Sequence, residues 1–361
     1  MSVESKFGAH VVVGGQYGDE GKGLISAYLA ALYHAPIVAR AGTGPGAEHG
    51  LFLTEKGPYL KTNQLPLGWI FNPDTQIRIG AGVAVNPKLL IQEMDRFDLH
   101  GRVKVDYLCP IVTAEHIAAE KESKKMAAIG STFSGSGRCR ADLVLRIAKL
   151  ARDIPELQPY LTDVGNEVNQ MAIDNVVIVE SSQGTLLSLS SPDYPNVTST
   201  NVTTAAVADQ VRLNWQKLNR VTMVIKSIPS REGSGSLGSE ELTMEQIKSR
   251  GLEETSSIEG VTRRKGSEIN WGLLATAAEI NGATGIALTF CEHFDPKVAN
   301  VTEKSQITDK LWKLVERVER ESGGVPVTLL NTGKRFSSIV PIHGETLDWE
   351  EIGERLKKYS P

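Results

Sequence analysis

The run His10-Val11-Val12-Val13-Gly14 is short and β-branched, Leu24 to Tyr33 is rich in Ala and Leu, and between them lies Gly15-Gln16-Tyr17-Gly18-Asp19-Glu20-Gly21-Lys22-Gly23. A buried strand feeding a helix through a glycine loop is the tightest constraint in the chain. Such a loop turns backbone N–H groups and the positive end of a helix dipole toward an anion, and Lys22 at the helix start adds a full charge. The loop therefore reads as a phosphate site. It is not the standard P-loop: position 16 is Gln rather than Gly, and Lys22 is followed by Gly23 rather than the Ser or Thr that holds magnesium. Asp19 and Glu20 would repel a phosphate unless they do other work, and a carboxylate at Asp19 can ligate magnesium or take a proton. A tight turn with a solvated acidic tip is the alternative reading of the same residues.

Short apolar runs at Pro36 to Ala39, Ile77 to Val83, Val176 to Val179, Val221 to Ile225, Thr284 to Phe290 and Val325 to Leu330 alternate with helix-like stretches. That pattern predicts an α/β fold, a largely parallel central sheet with crossover helices. Asp142 to Arg152 and Ile307 to Ser322 have the spacing of amphipathic helices, the second stopped by Gly323-Gly324. Arg231 to Ser239 (REGSGSLGS) is long enough to be mobile, but apolar patterns resume on both sides, so residues 1–361 are expected to form one domain with loop insertions.

Composition narrows the function. Hydrophobic residues make up 40% and charged residues 23%, with 39 Lys+Arg against 43 Asp+Glu, a balance that argues against disorder and gives no general attraction to nucleic acid or acidic membranes. No apolar run approaches the roughly 18 residues of a membrane span, and Met1 to His10 lacks a signal-peptide core, so a cytoplasmic protein is expected. Cys109, Cys139 and Cys291 lack disulfide or zinc spacing and read as buried or idle thiols.

The 34 glycines fall in clusters. Arg40 to His49 (RAGTGPGAEH) is a second glycine loop after a strand, and it ends in a histidine; Ile129 to Gly137, Glu180 to Thr185 and Val197 to Thr204 add hydroxyls and small residues that suit phosphates and base edges. Solvated loops collect the same residues.

Taken in order, GGQYGDEGKG, the His49 loop, the Gly130-Ser131-Thr132 loop, QGTLLSL, YPNVTS and INGATGIALT span the whole chain and resemble the adenylosuccinate synthetase family. The chain's shortness is similar to the compact archaeal and viral branch. The resemblance implies a P-loop-related fold and a ligase working in two steps: a nucleoside triphosphate phosphorylates the purine O6, and the amine of L-aspartate then displaces phosphate. It implies that Asp19 takes the N1 proton and ligates Mg²⁺, that the Glu48 carbonyl is a second metal ligand, and that His49 stabilises the transferred phosphoryl group. It assigns Gly18, Glu20, Gly21, Lys22, Gly23, Glu292 and Gly333 to the triphosphate, and Gly46, Ser131, Thr132, Gln183 and Thr198 to the purine nucleoside monophosphate. Arg146 would reach that monophosphate from a second subunit, which implies a homodimer. Val261, Thr262, Arg263 and Arg264 match the loop that clamps the carboxylates of L-aspartate, for which planar guanidinium groups are suited.

Three departures bear on the substrate. The family's Asn-Ala-Gly-His is Gly46-Ala47-Glu48-His49 here, no arginine follows Thr132, and the aspartate that reads guanine in GTP is replaced in Thr289-Phe290-Cys291-Glu292. These changes resemble the viral branch that condenses aspartate with dGMP, using ATP or dATP, to make N6-succino-2-amino-2'-deoxyadenylate for 2-aminoadenine DNA. Asp19 cuts the other way, because some members of that branch carry Ser there. Loss of the amide at Gly46 could make space for a 2-amino group. The alternative is ordinary adenylosuccinate synthesis from IMP and GTP. A catalytically dead nucleotide-binding regulator is disfavoured by the presence of Asp19, Lys22, His49 and Arg263, and a signalling GTPase by the missing Lys-Ser/Thr pair.

Overall fold

The computed structural model describes residues 7–53, 59–255, 262–344 and 346–356. Apolar β-branched runs form the interior: β1 (Gly8–Gly14) is buried at every position, and β2 (Ile37–Arg40), β3 (Gln76–Ile79), β4 (Val103–Asp106) and β5 (Leu161–Thr162) extend the sheet to one side of it. The chain then returns as β6 (Val176–Glu180), which inserts between β1 and β2, and crosses to the other side as β7 (Leu218–Lys226), β8 (Gly285–Thr289), β9 (Val327–Asn331) and β10 (Ile339–Pro341). Ten strands thus lie in the order β10-β9-β8-β7-β1-β6-β2-β3-β4-β5, and every neighbouring pair is parallel except β9 with β10. A sheet wound outward in both directions from its middle opens a crevice at the carboxyl ends of the central strands, where the connections diverge. The glycine loops that follow Gly14, Arg40 and Glu180 leave from that edge.

Buried side chains cover both faces. Helix α1 (Lys22–Leu32) and residues 65–71 pack on one face, and helices Val164–Met171, Thr204–Gln210, Trp271–Asn281 and Asp309–Glu321 pack on the other. The expected Ile307 to Ser322 helix is Asp309–Glu321; the Thr308 side chain caps it by accepting from Leu311 N at 3.2 Å, and Leu311, Leu314, Val315 and Val318 form its buried stripe. No helix among the described residues is long and apolar enough to cross a membrane.

Two expected element boundaries are corrected. The helix placed at Asp142 to Arg152 lies at Ser136–Leu145, because Glu120 caps its start by accepting from the N–H groups of Gly135 and Gly137 at 2.7 and 2.8 Å. It ends where Arg146 turns left-handed, and residues 149–151 are drawn into extended pairing with the 109–111 segment. The strand at Ile77 to Val83 stops at Ile79. The REGSGSLGS loop is seated: Ser234 donates to Asn196 Oδ1 at 2.7 Å, and Arg264 donates to the carbonyls of Gly233 and Gly235 at 2.7 and 3.0 Å.

The first loop folds back on itself around Glu20. Its fully buried carboxylate accepts from the N–H groups of Gln16 and Gly18 at 3.2 and 2.9 Å and pairs with Lys22 at 2.5 Å. This close approach requires glycine opposite it: a Cβ at Gly184 would lie 2.3 Å from the Gln16 carbonyl and 2.4 Å from Glu20 Oε1. Gly184→Ala is therefore expected to lower stability by about 1–3 kcal/mol, the usual range for overpacking a tight site. Calorimetric unfolding measures it, and an unchanged midpoint would mean the two loops are not held together as described.

Candidate active site

At the carboxyl edge of β1, β2, β6, β7, β8 and β9 the loops enclose a cavity of about 830 Å³. Its walls include Gly18, Asp19, Gly21, Lys22 and Gly23 of the first loop, Gly46, Glu48 and His49 of the second, Ser131, Thr132, Gln183 and Thr198 of the hydroxyl-rich loops, and Arg263, Glu292 and Gly333. Most of the residues singled out in the sequence therefore meet in one place. Glu20, Arg146, Thr262 and Arg264 do not line it, and Val261 lies outside the described residues. Glu20 shapes the loop rather than facing the cavity. Arg264 is turned away, paired with Glu241 and bonded to the REGSGSLGS loop.

In the first loop, Asp19 adopts a left-handed conformation, φ 52°, at the cavity wall. One of its carboxylate oxygens accepts from Arg263 Nη1 at 2.7 Å. Arg263 is buried and also meets Glu232 at 3.2 Å and Ser230 Oγ at 3.1 Å, and the surrounding carboxylates hold its charge firmly despite burial. Behind it, Glu254 bridges Lys226 and Lys265. Burial pulls the Lys226 ammonium down to about 8 although Glu254 opposes the fall.

The second loop carries His49 to the other side of the first. Its Nδ1 lies 2.5 Å from Glu180 Oε1, while Arg40 Nη1 lies 2.7 and 2.9 Å from the two ring nitrogens and 3.0 Å from Glu180 Oε1. Burial and the Arg40 charge push His49 down to about 4, so the ring is neutral at pH 7. Burial alone would raise the Glu180 carboxyl, but His49 and Arg40 hold it down to about 2. The remaining Glu180 oxygen accepts from Ser26 in α1 and from Leu67 N at 3.0 Å. A neutral imidazole with an ionised carboxylate on Nδ1 carries its proton there, and its Nε2 faces Arg40 Nη1.

Sequence reasoning gave no role to Glu180, Arg40, Lys226 or Glu254. The signal available was a charged residue closing an apolar strand, as Arg40 closes β2, Glu180 closes β6 and Lys226 closes β7.

Two features shape the wall nearest Thr132. A Cβ at Gly46 would lie 2.8 Å from both Ser134 Oγ and Thr132 Oγ1, so the space expected from loss of an amide there is already filled by the neighbouring loop. Arg140 is half-buried and donates to the carbonyls of Gly42 and Gly82 at 2.9 and 2.7 Å, fixing the second loop. Opposite, Thr289 at the end of β8 donates to the Glu20 carbonyl at 2.7 Å, so Phe290 and Glu292 sit directly beyond the first loop.

A family model described as adenylosuccinate synthetase matches residues 11–154 and 145–299. An adenylosuccinate synthetase of Archaeoglobus fulgidus is 39% identical over 345 residues, covering 94% of this chain and 100% of that one, and one from Pyrococcus sp. strain ST700 is 39% identical over 336 residues, covering 91% and 97%. The fold is shared with the fully ligated adenylosuccinate synthetase of Plasmodium falciparum, with TM-score 0.84, 19% identity and coverage of 92% of this chain and 99% of that one. It is shared also with cyanophage S-2L succinoaminodeoxyadenylate synthetase bound to dGMP and dATP, with TM-score 0.77, 24% identity and coverage of 98% and 99%. The chain belongs to the adenylosuccinate synthetase family, ligases that form carbon–nitrogen bonds.

Proposed function

We propose that the chain joins L-aspartate to C6 of a purine nucleoside monophosphate through a 6-phosphoryl intermediate, with dGMP as acceptor, ATP or dATP as donor and N6-succino-2-amino-2'-deoxyadenylate as product. The observation that carries the chemistry is the convergence of Asp19, His49 and Arg263 on one cavity beside a helix N-terminus. A purine 6-oxo group is a poor leaving group, so it must be phosphorylated before an amine can displace it. Asp19 takes the N1 proton, which makes O6 nucleophilic toward the terminal phosphorus. Gly21, Lys22, Gly23 and the loop N–H groups hold the donor phosphates, with Gly18 beside them. As the donor's negative charge arrives at His49, proton affinity at the imidazole rises, the ring takes a proton from solvent, and Glu180 balances the imidazolium. Ser131, Thr132, Gln183 and Thr198 hold the acceptor, and Arg263 the carboxylates of L-aspartate.

The donor set suits Mg²⁺. Asp19 and the Glu48 carbonyl offer hard oxygen ligands at the cavity wall, and this ion is usually held by one or two protein groups together with substrate phosphates. When bound, it neutralises charge on the transferring phosphoryl group.

The 2-amino reading is supported by Glu292 in place of the guanine-reading aspartate and by the fold neighbour bound to dGMP and dATP. The archaeal relatives named adenylosuccinate synthetase favour the second reading, IMP with GTP. The deciding assay follows phosphate release with L-aspartate and Mg²⁺ while crossing IMP, GMP and dGMP with GTP, ATP and dATP. Turnover of dGMP with an adenine donor is expected, and turnover confined to IMP with GTP would establish the ordinary reaction. In the same assay Asp19→Ala and His49→Ala are expected to lower kcat by about 10²–10⁴-fold.

A homodimer completes the acceptor site in this reading. Arg146 lies exposed outside the cavity, and Val144, Leu145 and Ile147 around it are 75%, 65% and 68% exposed, an apolar patch suited to cover by a second subunit. Sedimentation is expected to give a dimer that Leu145→Asp weakens. Arg146→Ala is expected to keep the dimer and raise the acceptor KM about tenfold or more, the worth of one charge-assisted hydrogen bond. A fully active monomer would refute the shared site.

A further inference from the structure

Glu292 is the second residue of a short helical turn, Cys291–Phe294, at the carboxyl end of β8, and it lines the cavity, as do Phe290, Gly333 and Lys334. Its surroundings are unusual for an ionised carboxylate. Among the described residues Oε2 is buried with no hydrogen-bond partner, and no cation lies within ion-pairing distance of the group. The neighbouring charges do not replace a partner. Lys334 and Lys265 act on it only from farther away, Lys265 is already paired with Glu254, and Glu254 itself repels negative charge at Glu292. His293 next to it is held neutral, pushed down to about 4 by burial and the nearby lysines. Burial dominates, and the Glu292 carboxyl is pushed up to about 7.

An ionised carboxylate only accepts hydrogen bonds, whereas a protonated one donates from one oxygen and accepts at the other. Guanine presents two donors on its pairing edge, N1–H and the 2-amino group, and so asks for two acceptors. Adenine presents an acceptor at N1 beside a donor at N6, and so asks for one of each. We infer that Glu292 selects the donor nucleotide by its protonation state, reading adenine as a neutral acid and guanine only as a carboxylate. This rests on the reading that places the donor base beyond the first loop, and it deepens that reading by making donor choice depend on pH. The neutral acid prevails below about pH 7 and the carboxylate above it, so adenine preference falls as pH rises through that point.

The test measures kcat/KM for ATP and for GTP with the same acceptor, from about pH 6 to about pH 8, and takes their ratio. Titration of the acceptor and of the triphosphate is common to both donors and cancels. In the wild type the ATP/GTP ratio is expected to fall by about tenfold across the range, which corresponds to one hydrogen-bond pattern exchanged for the other. Glu292→Gln, near-isosteric and always both donor and acceptor, is expected to keep the ATP preference and lose its pH dependence. Turnover of both donors with a flat wild-type ratio, or a Glu292→Gln ratio that still falls with pH, would overturn the Glu292 inference alone. Absence of turnover with either donor at every pH would overturn the ligase reading and this inference with it.

Discussion

The active-site edge of the sheet is organised around one buried anion, Glu180. Its carboxylate gathers Ser26 of α1, the Leu67 backbone, Arg40 at the end of β2 and His49 from the second glycine loop, so the helix behind the phosphate loop and the histidine in front of it share a partner. A charge with no exposure is costly unless paired, and removing one partner of such a pair typically costs about 3–5 kcal/mol. The two glycine loops are therefore held in fixed relation. Because burial and Arg40 oppose protonation of His49 more than Glu180 favours it, the imidazole rests neutral.

A second contact ties the phosphate loop to the opposite wall. Arg263 reaches across from the hairpin of Ser230–Arg231 and Arg264–Lys265 to hold Asp19. Its own position is set by Ser230, Glu232 and the Glu254 cluster, so Asp19 and the cationic wall share one electrostatic frame. In the ligase reading, the group that accepts the purine proton and the group that binds aspartate's carboxylate touch before either substrate is present.

The sheet's middle was readable because its strands are continuous apolar runs and its loops are glycine clusters, as in His10 to Gly23. The helix at Ser136–Leu145 was misplaced because its start is set by Glu120, a capping partner from another helix that local spacing does not reveal. The cavity's glycine, hydroxyl and histidine residues were legible from motif order. Glu180, Arg40, Lys226 and Glu254 were not, because each is a single charge whose meaning comes from a partner distant in sequence, 140 residues away in the case of Arg40 and Glu180. Gly46 taught the opposite lesson: the missing side chain read as empty space, and the fold fills it with Ser134 and Thr132.

The central claim is that O6 of the purine is phosphorylated before aspartate displaces it. The most direct measurement uses acceptor labelled with ¹⁸O at the 6-oxo position and determines the isotope in the products by mass spectrometry. Quantitative transfer of ¹⁸O into the released phosphate is predicted, with one labelled phosphate for each aspartate joined. Unlabelled phosphate would mean that the terminal phosphoryl group went to water or to another acceptor, and would contradict the roles given to Asp19 and His49.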